Sequence, residues 1–279
     1  MESRGLRVAL RVWVGIVLAF LFIPIALIVL YAFNKSNIES WPISNFTLHW
    51  FSVAWHDAQV RAAFLLSARV ALVAMVLALI LGSAVAFAVH QFKFFGREAI
   101  SLLLVLPLAL PGIITGIALN SLFAFTGVRL GTLTVVVGHT TFCIVVVFNN
   151  VIARLRRTPG SLTEASMDLG ARGWQTLRLI TLPMLATALI SGALLAFALS
   201  FDEVIVTVFT AGAQNTLPLW IFGAIRLGQQ LPEVNVVVTF VIALTIIPVV
   251  IAARIAGAGA ITRSARTVPV TTAGAGFTA

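Results

Sequence analysis

Two adjacent carboxylates, Asp202 and Glu203, stand inside a long apolar stretch of this sequence. An ionised carboxylate within the hydrocarbon of a membrane costs several kcal/mol unless it faces water, a partner or a ligand. Neighbouring helix positions point about 100° apart, so one carboxylate can face a passage while the other meets a different surface. The pair favours a site that attracts cations over one for anions, which Arg or helix N-termini would suit better. A structural role for Asp202, such as pairing with Arg69 or capping a kink, stays open.

Aromatic side chains near this pair would suit an organic cation, because ring faces attract ammonium groups. Phe201 precedes the pair, Phe209 follows it, and Trp220 and Phe222 lie in the next connection. The chain holds 20 Phe residues, so packing or lipid contact explains each ring equally well or better. The predicted pathway residues are Asp202, Glu203, Phe201, Phe209 and Trp220.

A polar segment, 164–183, separates two apolar runs and reads EASMDLGARGWQTLRLITLP. Glu164 falls in the first turn of a short helix, where the helix dipole favours an acidic side chain. Gly170 then interrupts the helix, as expected where the chain turns or a partner approaches closely.

The second half of this segment predicts another short helix. Trp174, Leu177 and Ile180 recur three apart and give it one apolar face. Pro183 suits the first turn of the next membrane helix, where its missing N–H is not needed. We therefore expect two short helices at a steep angle to the membrane spans. By pattern alone, the segment fits an amphipathic connector on the lipid surface as well as a docking loop.

The remaining reactive residue types show no pattern of a catalytic or metal site. Cys143 is the one cysteine and is predicted to be a small buried hydrophobe. The four histidines are scattered along the chain without metal-ligand spacing, and we assign them no role. No G-x-x-x-x-G-K-[ST] phosphate loop is present. We therefore predict no catalytic residue, no metal and no cofactor in this chain.

The elements that carry these residues are apolar enough to span a membrane. The chain is 60% hydrophobic, 10% charged and has a mean hydropathy of +1.08. Its apolar runs are continuous and reach the roughly 20 residues that a helix needs to cross a bilayer, whereas barrel strands are shorter and alternate in polarity. We predict an all-α integral membrane protein with six spans, at about 12–33, 64–89, 99–125, 133–153, 184–210 and 236–255. The membrane domain would cover 1–260, with a cytoplasmic loop at 154–183 and a disordered tail at 261–279.

Basic residues predict the orientation of these spans. Most of the 18 Lys and Arg residues fall on segments that share one side if the N-terminus is cytoplasmic. Positive loops stay in the cytoplasm, so both termini are expected there. The net charge of +9 is spread over these short loops and is not gathered on one domain, which argues against nucleic acid as a partner.

The third run contains helix-breaking residues. Pro107, Pro111 and Gly112 interrupt the backbone hydrogen bonds there, which is tolerated where the chain is buried in protein or lines a cavity. These residues are compatible with a hinge for alternating access or with a fixed kink. In the second run, Gly82 and its small neighbours predict close approach of another helix.

The polar segment resembles the EAA motif of type I ABC importer permeases. Ser166 stands where the motif has its second Ala, and Leu169 where it has Asp. Seven positions fall in register with the motif: Glu164, Ala165, Gly170, Ala171, Ile180, Leu182 and Pro183.

The resemblance implies a type I ABC importer permease fold, in which this loop couples to a separate ATPase subunit that holds ATP and Mg. The implied coupling residues are Glu164, Ala165, Gly170, Ala171, Trp174, Leu177, Ile180 and Pro183. Gly170 would allow close approach to the ATPase, and a side chain there would break coupling without unfolding the membrane domain.

Three further segments resemble the second permease of spermidine/putrescine importers: 31–34, the prolines of the third run, and 197–212 with the NTLPLWIFGAIRLG that follows. This likeness implies a second permease, a dimer of ATP-binding subunits, an extracytoplasmic polyamine-binding protein and a place in the bacterial inner membrane. An importer of ferric iron or an oxyanion remains an alternative, because such permeases share the loop. An ion-coupled secondary transporter would more commonly show internal repeats of broken helices.

Overall fold

The computed structural model describes residues 4–246, except for residues 44, 98, 101, 104–105 and 107–109. In this described part the regular elements are helices. The principal ones are α1 (Arg4–Tyr31), α2 (His49–His56), α3 (Ala58–Gln91), α4 (Gly112–Phe125), α5 (Thr132–Arg157), α6 (Ser161–Asp168), α7 (Gly173–Thr176), α8 (Leu182–Asp202), α9 (Ile205–Thr210), α10 (Leu217–Leu227) and α11 (Leu231–Ile246). They fall into two compact units, one of residues up to 54 and from 230 onward, the other of residues 55–229.

The first unit contains α1 and α11. The large apolar side chains of α1 are exposed from Leu6 to Leu27. A helix that is apolar on all faces is stable in hydrocarbon or against another apolar surface. After α1, a short connection folds back on itself through hydrogen bonds such as that from the Thr47 N–H to the Phe33 carbonyl, at 2.8 Å. The Asn235 amide of α11 donates to the Glu39 carboxylate at 2.6 Å.

The second unit is built around α3, α5 and α8, which pack against one another. Small residues of α3 allow the close approach of α5. A Cβ on Gly82 would lie 2.9 Å from the Ile144 carbonyl oxygen and 3.0 Å from Val147 Cβ. Gly82 therefore belongs to a helix-packing surface, as its neighbourhood in the sequence predicts.

Among the described residues, four helices are long and apolar enough to cross a membrane: Gly5–Tyr31, Ala58–Gln91, Thr132–Arg157 and Gly173–Asp202. Parts of the third and sixth predicted spans lie outside the described residues, as does the predicted tail. The six-span count, the orientation of the termini and the domain boundaries stay predictions.

The fifth predicted span, 184–210, differs from one continuous helix in two ways. At its start, α7 continues through a π-helical turn at Leu177–Thr181 directly into α8. The prediction of a separate second short helix before the span is therefore wrong. The wider turn accommodates Pro183, whose ring clashes with the preceding carbonyl in an ordinary helix interior. At its end, the run breaks after Asp202, and α9 begins anew at Ile205.

Candidate functional site

The helix break lies at the two carboxylates that the sequence analysis singled out. Asp202 is the last residue of α8, and Glu203 has an extended backbone with φ −73° and ψ 120°. Glu203 Oε1 accepts a hydrogen bond from the Val206 N–H at 2.9 Å, and the Glu203 carbonyl accepts one from Thr207 Oγ1 at 2.8 Å. The following β-branched residues weaken the helix at this point, and Glu203 caps the new helix.

Asp202 has no such structural task. Its side chain is exposed, and within the described residues no hydrogen bond or ion pair engages it, including any to Arg69. An acidic side chain at a helix C-terminus is disfavoured by the helix dipole. The position of Asp202 is therefore not explained by the stability of α8. Kink capping, which we considered for Asp202, belongs to Glu203.

Polar side chains of the neighbouring helices hold α9 in place. The Asn120 amide of α4 donates to the Phe209 carbonyl at 2.7 Å. Thr134 Oγ1 of α5 donates to the Thr210 carbonyl, also at 2.7 Å. Both bonds satisfy carbonyls at the C-terminal end of α9 that lack partners within the helix. A helix this short thus depends on its neighbours for its hydrogen bonds.

His139 joins the two sides of the break. It is buried in α5, with its Nδ1 2.8 Å from Ser200 Oγ and its Nε2 2.9 Å from Thr207 Oγ1. We assigned this residue no role from sequence because the histidines are scattered and lack metal-ligand spacing. A polar residue in an apolar run is the signal that marks His139, Asn120 and Thr134 alike.

The predicted hinge adjoins this site. Pro107 lies outside the described residues, whereas Pro111 directly precedes α4 and Gly112 begins it. A Cβ on Gly112 would lie 3.6 Å from the Ile205 side chain, and one on Gly116 would lie 2.5 Å from Phe209 Cδ2. The N-terminal half of α4 therefore packs directly on α9. The hinge role of these residues stays a prediction.

The predicted aromatic residues occupy different surroundings. The Phe201 ring contacts Phe64 of α3 at 6.0 Å between ring centroids and Phe197 at 5.9 Å. Trp220 is buried, on the same face of α10 as the buried Leu217 and Ala224. The Trp220 ring is thus part of the packing of this chain, whereas Phe201 forms a partly exposed aromatic cluster beside Asp202.

The EAA-like segment forms a helix and a sharp turn. After α6, Gly170 adopts a left-handed conformation with φ +84°. Its N–H donates to the Met167 carbonyl at 2.8 Å, and the next N–H, of Ala171, donates to the Ser166 carbonyl at 3.0 Å. This pair of bonds is the Schellman motif, in which glycine is the preferred residue. No atom lies within 4 Å of a Cβ placed on Gly170. Within this chain, glycine is therefore favoured here by its backbone conformation and not by lack of space.

Ser166, a departure from the EAA pattern, has a structural partner. Its hydroxyl lies 2.7 Å from Thr176 Oγ1, and both side chains are buried. The bond ties α6 to α7. Arg154 Nε in turn donates to the Met184 carbonyl at 3.1 Å and joins the end of α5 to the start of α8. These contacts fix the loop on the ends of the spans.

The outer surface of this loop carries large apolar side chains. Leu169 is 90% exposed and Trp174 67% exposed. A groove of about 680 Å³ lies between the loop and the ends of α3 and α5, and Glu164 and Leu177 line it. Ala165 is exposed, and Ala171 and Ile180 are half-buried. A contiguous exposed apolar patch rimmed by polar residues marks a contact site for a protein or a membrane.

Comparison with known proteins assigns a family to this arrangement. Residues 78–259 match the inner-membrane component of binding-protein-dependent transport systems. The chain belongs to this family. The match includes the helix break and the EAA-like loop. This chain is therefore a membrane transport component of the bacterial inner membrane, as the sequence predicts.

Relatives in this family align over most of the permease chain. The spermidine/putrescine transport system permease protein PotC of Haemophilus influenzae is 34% identical over 238 residues, which cover 85% of this chain and 91% of the relative. The putrescine transport system permease protein PotI of Escherichia coli K12 is 34% identical over 232 residues, covering 80% and 82%.

A solved structure supports the fold. A chain of a bacterial ABC transporter involved in the import of the acidic polysaccharide alginate has a TM-score of 0.65 at 17% identity, and the match covers 92% of this permease and 98% of that chain. The all-α permease fold of ABC importers is therefore confirmed.

Proposed function

We propose that this chain is one of two permease subunits of an ATP-driven polyamine importer and forms half of the passage for spermidine or putrescine. The observation that carries the proposal is Asp202, an exposed carboxylate in an apolar helix without a structural partner among the described residues. Both relatives named above are permeases of spermidine or putrescine transport systems. An ionisable side chain within a membrane span commonly marks a substrate or ion pathway, and a carboxylate there attracts a multiply charged ammonium cargo.

The surroundings of Asp202 suit this cargo better than an oxyanion. Polyamines alternate ammonium groups with apolar methylene segments. Phe201, clustered with Phe64 and Phe197, offers aromatic surface next to the carboxylate for both parts. An oxyanion would be repelled by Asp202 and Glu203. Phe209 remains a secondary candidate, and Glu203 acts mainly as the cap of α9.

The loop 154–183 would transmit ATP-driven movement. We infer that Leu169 and Trp174 insert into a groove of a cytoplasmic ATP-binding subunit, with Glu164 and Leu177 at the edge of the contact. Interface energy is often concentrated in a few residues, among which Trp is enriched, so Trp174 is expected to contribute more than Leu169. ATP and Mg would be held by a dimer of these subunits. A homologous second permease and an extracytoplasmic polyamine-binding protein would complete the importer.

Uptake of labelled spermidine in cells that lack this chain tests the proposal. Wild type should restore uptake, and putrescine should compete while ferric citrate and thiosulfate should not. Asp202→Asn should abolish most uptake at an unchanged protein level in the membrane. Glu203→Gln is the matched variant, since it removes a neighbouring charge but keeps an oxygen for the Val206 N–H, and it should retain more uptake. If wild type restores no polyamine uptake, the polyamine assignment is wrong.

A further inference from the structure

His139 contacts both helices that meet at Asp202. Its ring is 1% exposed and bonds Ser200, two residues before Asp202, and Thr207, four residues after Glu203. Within the described residues, no other side chain forms hydrogen bonds to both α8 and α9. The imidazole thus bridges a break across which the backbone helix ladder is interrupted.

The surrounding hydrogen bonds determine which ring nitrogen of His139 carries the proton. The Thr207 hydroxyl has one proton, which it donates to the Glu203 carbonyl. Its oxygen must therefore accept from His139 Nε2–H. In the neutral ring, Nδ1 then carries no proton and accepts from the Ser200 hydroxyl. The chain Ser200, His139, Thr207, Glu203 is a directed series of hydrogen bonds that ends at the backbone of the break.

We propose that His139 is a positioning residue for Asp202. By holding Ser200 and Thr207 on one rigid ring, it sets the direction in which α8 ends relative to α9, and with it the direction of the Asp202 carboxylate. His139 itself is buried and does not contact cargo. The inference rests on the proposed function in its assignment of Asp202 to the cargo pathway.

Two conservative substitutions separate the two bonds. In His139→Asn the amide oxygen can take the place of Nδ1 and accept from Ser200, but nothing reaches Thr207. In His139→Gln the amide nitrogen can take the place of Nε2 and donate to Thr207, but Ser200 is left without a partner. Because positioning requires both bonds, each variant should behave like His139→Ala. Ser200→Ala removes the Ser200 bond from the other side and should reproduce the effect without changing the ring. Thr207→Val removes the Thr207 bond together with the one that Thr207 donates to the Glu203 carbonyl, and its effect should be at least as large.

The orientation of position 202 can be measured directly. Asp202→Cys is placed in a Cys143→Ser background, and the rate of modification by a charged methanethiosulfonate reagent is followed in membranes. Loss of one hydrogen bond of about 1 kcal/mol changes the populations of two orientations about fivefold. We expect a rate change of about that size in each His139 variant. Gln229→Cys, at an exposed position just after α10, should label at a constant rate.

Spermidine uptake per inserted transporter gives the second measurement, in the chain that retains Asp202. His139→Asn and His139→Gln should each lower the maximal rate about fivefold or more. Thr140→Ala is the matched control, because the Thr140 hydroxyl is buried beside His139 but donates to the Val136 carbonyl of its own helix. It should leave labelling and uptake unchanged.

The outcomes distinguish the inference from the proposed function. An unchanged labelling rate at position 202 in the His139 variants, or altered labelling with full uptake, would overturn the positioning role and leave Asp202 as a pathway residue. Full uptake by Asp202→Asn would instead overturn the pathway role. Altered labelling together with reduced uptake at equal membrane levels supports the inference.

Discussion

The Glu203 carboxylate accepts the backbone N–H of Val206 at 2.9 Å and so begins α9 just after α8 has ended. This bond places two carboxylates with different tasks side by side. Glu203 lies between α8 and α9 and caps α9, whereas the Asp202 carboxylate is left exposed. Paired acidic residues in an apolar run therefore need not share a function.

The cap predicts different effects for two substitutions of Glu203. Glu203→Ala removes the acceptor and should lower the free energy of unfolding by about 1 kcal/mol, the usual value of an N-terminal cap. Glu203→Gln keeps an acceptor oxygen and should lower the free energy of unfolding by less. Thermal unfolding of the purified protein in detergent measures both. Equal losses in the two variants would mean that the charge, not the acceptor, stabilises the break.

The other end of α9 depends on Asn120. Asn120→Ala leaves the half-buried Phe209 carbonyl without its side-chain donor, and loss of such a hydrogen bond costs about 1 kcal/mol. Asn120→Asp, which replaces the donor with an oxygen that repels the carbonyl, should destabilise the protein more than Asn120→Ala does. The unfolding temperature and spermidine uptake should fall together. Asn149→Ala, at an exposed position of α5, is the control, and an equal effect there would contradict the assignment.

The turn after α6 predicts a ranked series at Gly170. A left-handed backbone costs a residue with a Cβ roughly 1–2 kcal/mol, and Asn tolerates it best. Gly170→Ala should reduce uptake, Gly170→Asn less so, and Gly170→Arg most if an ATPase surface also lies close. Membrane insertion should be unchanged in all three. Gly173→Ala serves as the control, because Gly173 has open space around its Cβ position and no positive φ.

Sequence patterns predicted those features that depend on local chemistry. The apolar runs, the EAA-like loop, the glycine after α6 and the place of Pro183 at the start of α8 follow from residue types within one helix or turn. The acidic pair was found because a charge in an apolar run is costly wherever the run packs.

The break in the fifth span and its supports could not be predicted in this way. A run such as FALSFDEVIVTVFTAG reads as one span, but the helix ends at Asp202. Glu203 caps the helix that follows, and three side chains from α4 and α5 hold that helix in place. His139 and Thr207 are 68 residues apart in sequence. Only packing of α5 against α9 brings them together, and a single sequence contains no direct signal of that pairing.

Ser166 and Thr176 predict coupling between the two halves of the EAA-like loop. Ser166→Ala restores the residue type of the motif but leaves a buried Thr176 hydroxyl without its partner. Removal of one of the two hydroxyls should lower the free energy of unfolding by about 1 kcal/mol. The double variant Ser166→Ala/Thr176→Val should cost less than the sum, since neither hydroxyl is then left alone. Strict additivity of the unfolding free energies would show that this bond does not hold α6 to α7.

Gly82 predicts a steric limit between α3 and α5. In Gly82→Ala the new Cβ would lie 2.9 Å from the Ile144 carbonyl oxygen, which is too close for a real contact. The two helices must separate, and overpacking of this kind costs about 1–3 kcal/mol. Gly223→Ala in α10 is the matched control, because no atom lies within 4 Å of its Cβ position. There alanine should stabilise the helix by up to about 1 kcal/mol. Unfolding temperatures of the two variants should therefore shift in opposite directions, and a shift in the same direction would contradict the close packing of α3 on α5.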